Sequence, residues 1–339
     1  MDEITRPRLF QFWYSLRATM KRTPLWLFCW SIPLALAIVI ALPWKAWFDS
    51  TLQSSYAPGS VFATMAETFR FDHGGELEGL RAQSAVLAAV LGLSVALFCA
   101  FSAGGWLQVF LERTEGHSLR RFFWGGARYF WRFTRLMLLS LLLLSLAGWL
   151  LHGWPWKVLI NLFCGTKDGN LEVLTSESSA LWIERARAAV YAMAFALILA
   201  WGDYTRTRMA LQNTRSAVWA GLCTVGLFLW HPVKTLRPLT VLLLIEILVV
   251  FGVGRLSSSF NGGLGELSGW KSVAFLFLLG QLAMLYQTIS RGARYHAAVA
   301  VSRQVVPALA QPDPWASRVG GPGGPQYPID DTDDYGVSI

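Results

Sequence analysis

Ser84–Gln108 reads S-A-V-L-A-A-V-L-G-L-S-V-A-L-F-C-A-F-S-A-G-G-W-L-Q, twenty-five residues without a charge. A bilayer core is crossed by about 20 mostly apolar residues in a helix. This stretch is long enough to cross. Five further stretches read the same way: 24–42, 134–151, 188–201, 238–253 and 272–289. The fourth of the six, 188–201, is the shortest, and extends upstream through Trp182 or downstream towards Tyr204.

Composition agrees with these segments. The chain is 54% hydrophobic and 15% charged, with a mean hydropathy of +0.42, whereas soluble domains carry about 25% charged residues. Seventeen Trp, many beside apolar runs, suit two membrane interfaces. The first apolar run starts at Pro24 and continues past the small-residue triplet Ala35-Leu36-Ala37, so it is expected to remain as a span.

Charge gives direction. Twenty of the 29 Lys and Arg lie before span one, between spans two and three (with Arg135 at the start of span three), between spans four and five, and after span six. By the positive-inside rule these segments and both termini face the cytoplasm. The net charge of +8 is therefore a topological signal, and no nucleic-acid-binding motif accompanies it. The fold class expected is all-α: a six-span bundle forming one transmembrane domain over 1–310. From Gln311 the sequence turns to P-D-P-W, G-G-P-G-G-P and D-D-T-D-D, expected as a disordered acidic cytoplasmic tail over 311–339.

Ahead of spans one, three and five lie Arg8–Arg22, Ser118–Arg135 and Ser216–Lys234, each mixing aromatic or aliphatic residues with sparse basic ones. These predict amphipathic helices at the cytoplasmic interface. Ser118 and Ser216 are candidate N-caps, and Pro24 and Pro232 mark where the chain turns into the bilayer. The layout suggests three units of interfacial helix plus two-span hairpin. The outer segments 43–83 and 152–187 can hold short surface helices, and 254–271, rich in Ser and Gly, reads as a turn.

Four polar features stand out. Glu246 lies nine residues beyond Arg237, about 14 Å along a helix, and a carboxylate at that depth needs a partner. Gln281 lies ten residues before Arg291, about 15 Å by the same rise, and is the expected partner; together they are the candidate intramembrane ion or substrate site. Asp203 sits in W-G-D-Y-T-R-T-R, with Arg206 on its helical face and Arg208 farther round; with Arg128 and Arg132 these are candidate headgroup or interfacial contacts. Ser102, Ala103, Gly104 and Gly105 permit close helix packing, and Gly125-Gly126 suggests close approach or a kink. The segment S-R-G-A-R-Y-H after span six reads as an interfacial anchor.

The Cys and His residues show no metal or disulfide spacing, so no metal or cofactor is expected. There is no HExxH, Walker A or GxSxG motif.

The stretches G-A-R-Y-F-W-R-F-T-R-L (126–136), D-Y-T-R-T-R-M-A-L (203–211) and S-A-V-W-A-G-L-C-T-V-G-L-F-L-W-H-P (216–232) resemble bacterial multi-span membrane proteins of uncharacterised function. More loosely, the layout is similar to the membrane domain attached to some glycerophosphodiester phosphodiesterases, without their soluble catalytic domain. The resemblance implies a bacterial inner-membrane protein. The function expected is a non-enzymatic scaffold, assembly or regulatory component whose partners are membrane lipids or another integral membrane protein. A transporter built around Glu246 and a lipid-modifying enzyme are the rival classes. The sequence sets neither a substrate nor an oligomeric state.

Overall fold

A computed structural model describes residues 11–52, 71–111, 118–164, 177–263 and 270–305. The tail expected over 311–339 lies outside the described residues. Among the described residues the ordered elements are helices: α1 (Gln11–Met20), α2 (Thr23–Leu52), α3 (Gly74–Leu111), α4 (Ser118–His152), α5 (Trp154–Cys164), α6 (Glu177–Gln212), α7 (Ala217–Trp230), α8 (Pro232–Gly263) and α9 (Trp270–Val305).

Four stretches combine the length and hydropathy of a membrane crossing: Thr23–Thr51, Gly74–Leu111, Ser118–Phe163 and Pro232–Ser258. They contain the expected spans 24–42, 84–108, 134–151 and 238–253. The expected spans 188–201 and 272–289 lie inside α6 and α9, each 36 residues long, but neither meets that combined measure. The count is therefore four, not six. In α6 only fifteen residues separate Arg187 from Asp203. In α9 the described side chains soon reach Gln281, Gln287, Thr288, Ser290 and Arg291.

Several helix ends follow the local chemistry. Proline lacks an N–H and fits the first turn, where that donor is unused; α2 starts at Thr23-Pro24 and α8 at Pro232. Ser216 caps α7, its hydroxyl accepting from the Trp219 N–H at 3.2 Å. Asn213, with φ of 52°, follows the end of α6, a left-handed position that Asn tolerates well.

Other boundaries differ from expectation. The second interfacial segment is not separate: Ser118–His152 is one continuous helix, with no proline at the junction and no break at Gly125-Gly126. The presumed turn at 254–271 is helical through Gly263. The outer segment 152–187 does hold a short helix, α5.

Packing is concentrated at the end of the bundle that carries most of the arginines. There the buried residues are Ala100 and Ser102–Leu111 of α3, Phe122–Leu136 of α4 and Ala200–Ala210 of α6 at intervals, and Ser290 with Ala293–Arg303 of α9. Toward the far end the same helices expose Val86, Val90 and Leu93, then Leu141, Leu142 and Leu146, then Met193, then Phe277, Leu278 and Leu282. The two separate basic-end helices share one design: α7 turns Ala220, Gly221 and Thr224 inward and Trp219, Leu222 and Leu229 outward, while α1 buries Gln11, Ser15 and Thr19 and exposes Trp13 and Met20.

The tightest seam joins α3 to α4. A Cβ on Gly104 would stand 2.6 Å from the Gly125 carbonyl oxygen, and one on Gly105 2.5 Å from the Phe122 ring. A Cβ on Gly125 would overlap the Cβ of Gln108, and one on Gly126 would stand 2.5 Å from the Phe101 ring. Of the two roles expected for Gly125-Gly126, the structure shows close approach. Small residues give close contact in lipid, where burying apolar surface between helices gains little over lipid tails. Gly125→Ala drives a Cβ into the Gln108 side chain and the Gly104 carbonyl, and overpacking of this kind costs roughly 1–3 kcal/mol. Thermal unfolding in detergent is expected to show that loss, whereas Gly92→Ala, where a Cβ meets nothing within 4 Å, is expected to be neutral or stabilising.

Candidate functional site

The stretch W-G-D-Y-T-R-T-R of α6 sends side chains to three neighbouring helices, α7, α8 and α9. Trp201 Nε1 donates to the Gly221 carbonyl of α7 at 3.0 Å, and the Tyr204 hydroxyl donates to the Thr235 carbonyl of α8 at 2.6 Å. Thr205 and Thr207 bond carbonyls of their own helix, which satisfies two hydroxyls that face protein. Arg208 donates to Gln212 and to the Cys223 carbonyl of α7. Just beyond, Asn213 Oδ1 accepts from Arg132 of α4 at 2.7 Å.

Asp203 points to α9. Its side chain is 5% exposed; Oδ1 accepts from Arg206 at 3.2 Å and Oδ2 from Arg294 Nε at 3.1 Å. Arg294 continues the chain of contacts, its Nη1 donating to Glu246 Oε2 of α8 at 2.7 Å, and Ser290 donates to the same oxygen at 2.9 Å. The series Arg206–Asp203–Arg294–Glu246 thus alternates charge across α6, α9 and α8, and the neutral Ser290 hydroxyl ends it. Two guanidinium groups meet two carboxylates, so no net charge is buried in those four groups. Tyr295 is buried beside them, and burial pushes its phenol above the ordinary value.

The expected partnership of Glu246 with Gln281 is not what the structure brings together. Glu246 pairs with Arg294 and Ser290, whereas Gln281 Oε1 is buried without a hydrogen-bond partner. The cause is register. With Ser290 beside Glu246, Gln281 lies nine residues away along α9, about 14 Å at the helical rise. The expected Asp203–Arg206 contact is present, and Arg208 does lie on another face. Arg132 is 7% exposed and tied to Asn213, and Arg128 lies 4.9 Å from the Trp124 ring centroid.

Ser290, Arg291, Arg294 and His296 were missed as a set because S-R-G-A-R-Y-H read as an interfacial anchor. Instead α9 runs unbroken to Val305 with this segment inside: Ser290 is 0% exposed, Arg294 7% and His296 5%. A signal was present in A-A-V-A-V at 297–301, an apolar run after the arginines that would make little sense on a solvated end. His296 Nδ1 stands 2.9 Å from Ser15 Oγ, and the Ser15 proton goes to the Gln11 carbonyl, so the imidazole donates. That bond joins α1 to α9.

Arg291 lines a cavity of about 150 Å³ between α2, α3 and α9, together with Cys29, Cys99, Ser102, Gln287 and Thr288 among others. Among the described residues no group of three His, Cys, Asp or Glu is placed to hold a metal, and Cys29, Cys99 and Cys223 are free thiols.

Arg294→Met leaves Asp203 and Glu246 without their shared cation. Breaking a buried pair from one side costs about 3–5 kcal/mol, whereas Glu246→Gln keeps an acceptor for Arg294 and costs on the order of 1 kcal/mol. Equilibrium unfolding in mixed micelles is expected to rank the two variants in that order, with Arg294→Met at least twice as damaging.

No family model, curated protein or solved structure matches the chain, so the arrangement of these residues carries the functional reading.

Proposed function

We propose that the chain is a six-span inner-membrane protein of a bacterium that acts as a non-enzymatic scaffold, assembly or regulatory component. It holds a rigid cytoplasmic end and offers its outer helical halves to lipid or to another membrane protein. Six crossings follow if the apolar middles of α6 and α9 are counted, and an even number keeps the basic connections on one side. Both termini are then cytoplasmic.

One observation carries the reading: the two carboxylates inside the bundle, Asp203 and Glu246, are spent on arginines of the same bundle. Asp203, Arg206, Arg294 and Glu246 close an internal circuit. A carrier needs charged groups that face a route, and a hydrolase needs a nucleophile beside a base. The exposed apolar residues at the far end of the bundle are surfaces for lipid or a partner helix.

A transporter is the second reading, favoured by one feature. The Glu246 side chain keeps 20% of its surface accessible, and its Oε1 has no hydrogen-bond partner among the described residues. Reconstituted vesicles under a pH gradient separate the two. The scaffold reading predicts the same background ion flux for wild type and Glu246→Gln; a gradient-driven flux in wild type that Glu246→Gln abolishes would establish the carrier instead. In a cysteine-free background, Arg120→Cys and Arg215→Cys are expected to react with a membrane-impermeant maleimide only from the cytoplasmic side, and Ser178→Cys only from the opposite side.

A further inference from the structure

Arg291 is the one arginine of the α9 basic segment that the clasp leaves aside. Its Nη1 donates to Cys99 Sγ at 2.9 Å, and sulfur is a weak acceptor. Among the described residues no carboxylate lies within ion-pair distance of it. Glu246, the carboxylate whose field it feels, is already held by Arg294 and Ser290. A guanidinium keeps its charge in any protein setting, and such a charge at a membrane protein's interior is costly without a counter-ion.

The cavity in front of Arg291 is graded along the bundle axis. Arg291 and Cys99 define one level, with Cys29, Ser102, Thr288 and the Phe98 and Trp106 rings nearby; Pro33, Val95 and Met284 define another, which has no polar side chain. Met284 to Arg291 and Val95 to Ser102 are each seven residues, about 10 Å of helix. The polar level is the one nearer the basic end. Ser102 and Thr288 donate to carbonyls of their own helices, which leaves their oxygens as acceptors. Gln287, one turn before Arg291, makes no side-chain hydrogen bond among the described residues. Pro33, Val95, Met284 and Gln287 all keep accessible surface.

We propose that this cavity binds one phosphate-bearing amphiphile, an anionic phospholipid whose phosphodiester sits on Arg291 and Gln287 and whose first acyl carbons lie along Val95, Pro33 and Met284. A guanidinium gives a phosphate two parallel donors, and the apolar level below it is what a free phosphate would have no use for. The volume of about 150 Å³ takes the headgroup region and leaves the rest of the lipid on the bundle surface. This inference rests on the membrane reading, which extraction of the same preparations with alkaline carbonate checks separately.

Native mass spectrometry of the full chain in detergent with equal phosphatidylglycerol and phosphatidylcholine tests the site. Wild type is expected to retain one phosphatidylglycerol in preference to phosphatidylcholine. Arg291→Gln is expected to weaken that binding about tenfold, the scale of one lost charge-assisted contact. Val95→Phe, which fills the apolar level, is expected to do the same, and Val90→Phe, on the exposed face, to change nothing. Dihexanoyl phosphatidylglycerol is expected to raise the unfolding temperature, with inorganic phosphate at equal concentration far less effective. Equal retention of the two lipids, or unchanged phosphatidylglycerol binding in Arg291→Gln, overturns the proposal. If Arg291→Gln does not fold, unchanged binding in both Gln287→Leu and Val95→Phe overturns it. Phosphate matching the short-chain lipid replaces the amphiphile by a free anion and also counts against it.

Discussion

Arg294 is the residue on which three helices depend. Its guanidinium reaches Asp203 on α6 with one nitrogen and Glu246 on α8 with another. No other described side chain bonds both carboxylates. A lone buried carboxylate is expensive wherever water is scarce, and each of these has Arg294 as its bridge to a neighbouring helix. The pair contacts therefore set rotation as well as proximity: α6 and α8 must both turn a particular face to α9. Specificity of packing is the stronger claim here, since the net stabilisation from buried ion pairs is often small.

The small-residue seam does the complementary work. Gly104, Gly105, Gly125 and Gly126 let α3 and α4 approach until backbone meets backbone, and His296 with Ser15 fastens α1 over α9. Dispersion and hydrogen bonds hold such contacts in lipid, where burial against acyl chains offers little advantage. All of these devices lie at the basic end. The far end has apolar side chains but none of the seams or clasps described above, which is why it exposes large surfaces while the basic end is closed.

Much of this was legible in the residues. Pro24 and Pro232 start helices because their missing N–H suits a first turn, and Ser216 caps α7 through its hydroxyl. The run S-A-G-G in α3 announced close packing, and the three-residue spacing of Asp203 and Arg206 announced their contact. What was not legible depends on register between distant segments. Glu246 was matched to Gln281 by depth from the nearest arginines, which assumed that Arg291 and Arg294 stand at a solvated end. The helix instead carries them into the core, so the level of Glu246 is that of Ser290. The same error made 290–296 an anchor. The fusion of the second basic segment into α4 was hidden for another reason: aromatic residues with sparse arginines read alike whether a helix lies on the membrane or continues into it.

The central claim is that Asp203 and Glu246, which do not bond each other, are coupled through Arg294. The most direct measurement is a double-mutant cycle of Asp203→Asn and Glu246→Gln by equilibrium unfolding, run in the wild-type and Arg294→Met backgrounds. The account predicts a coupling of roughly 1 kcal/mol or more with Arg294 present, falling to within about 0.5 kcal/mol of additivity without it. Additive effects in both backgrounds would contradict it.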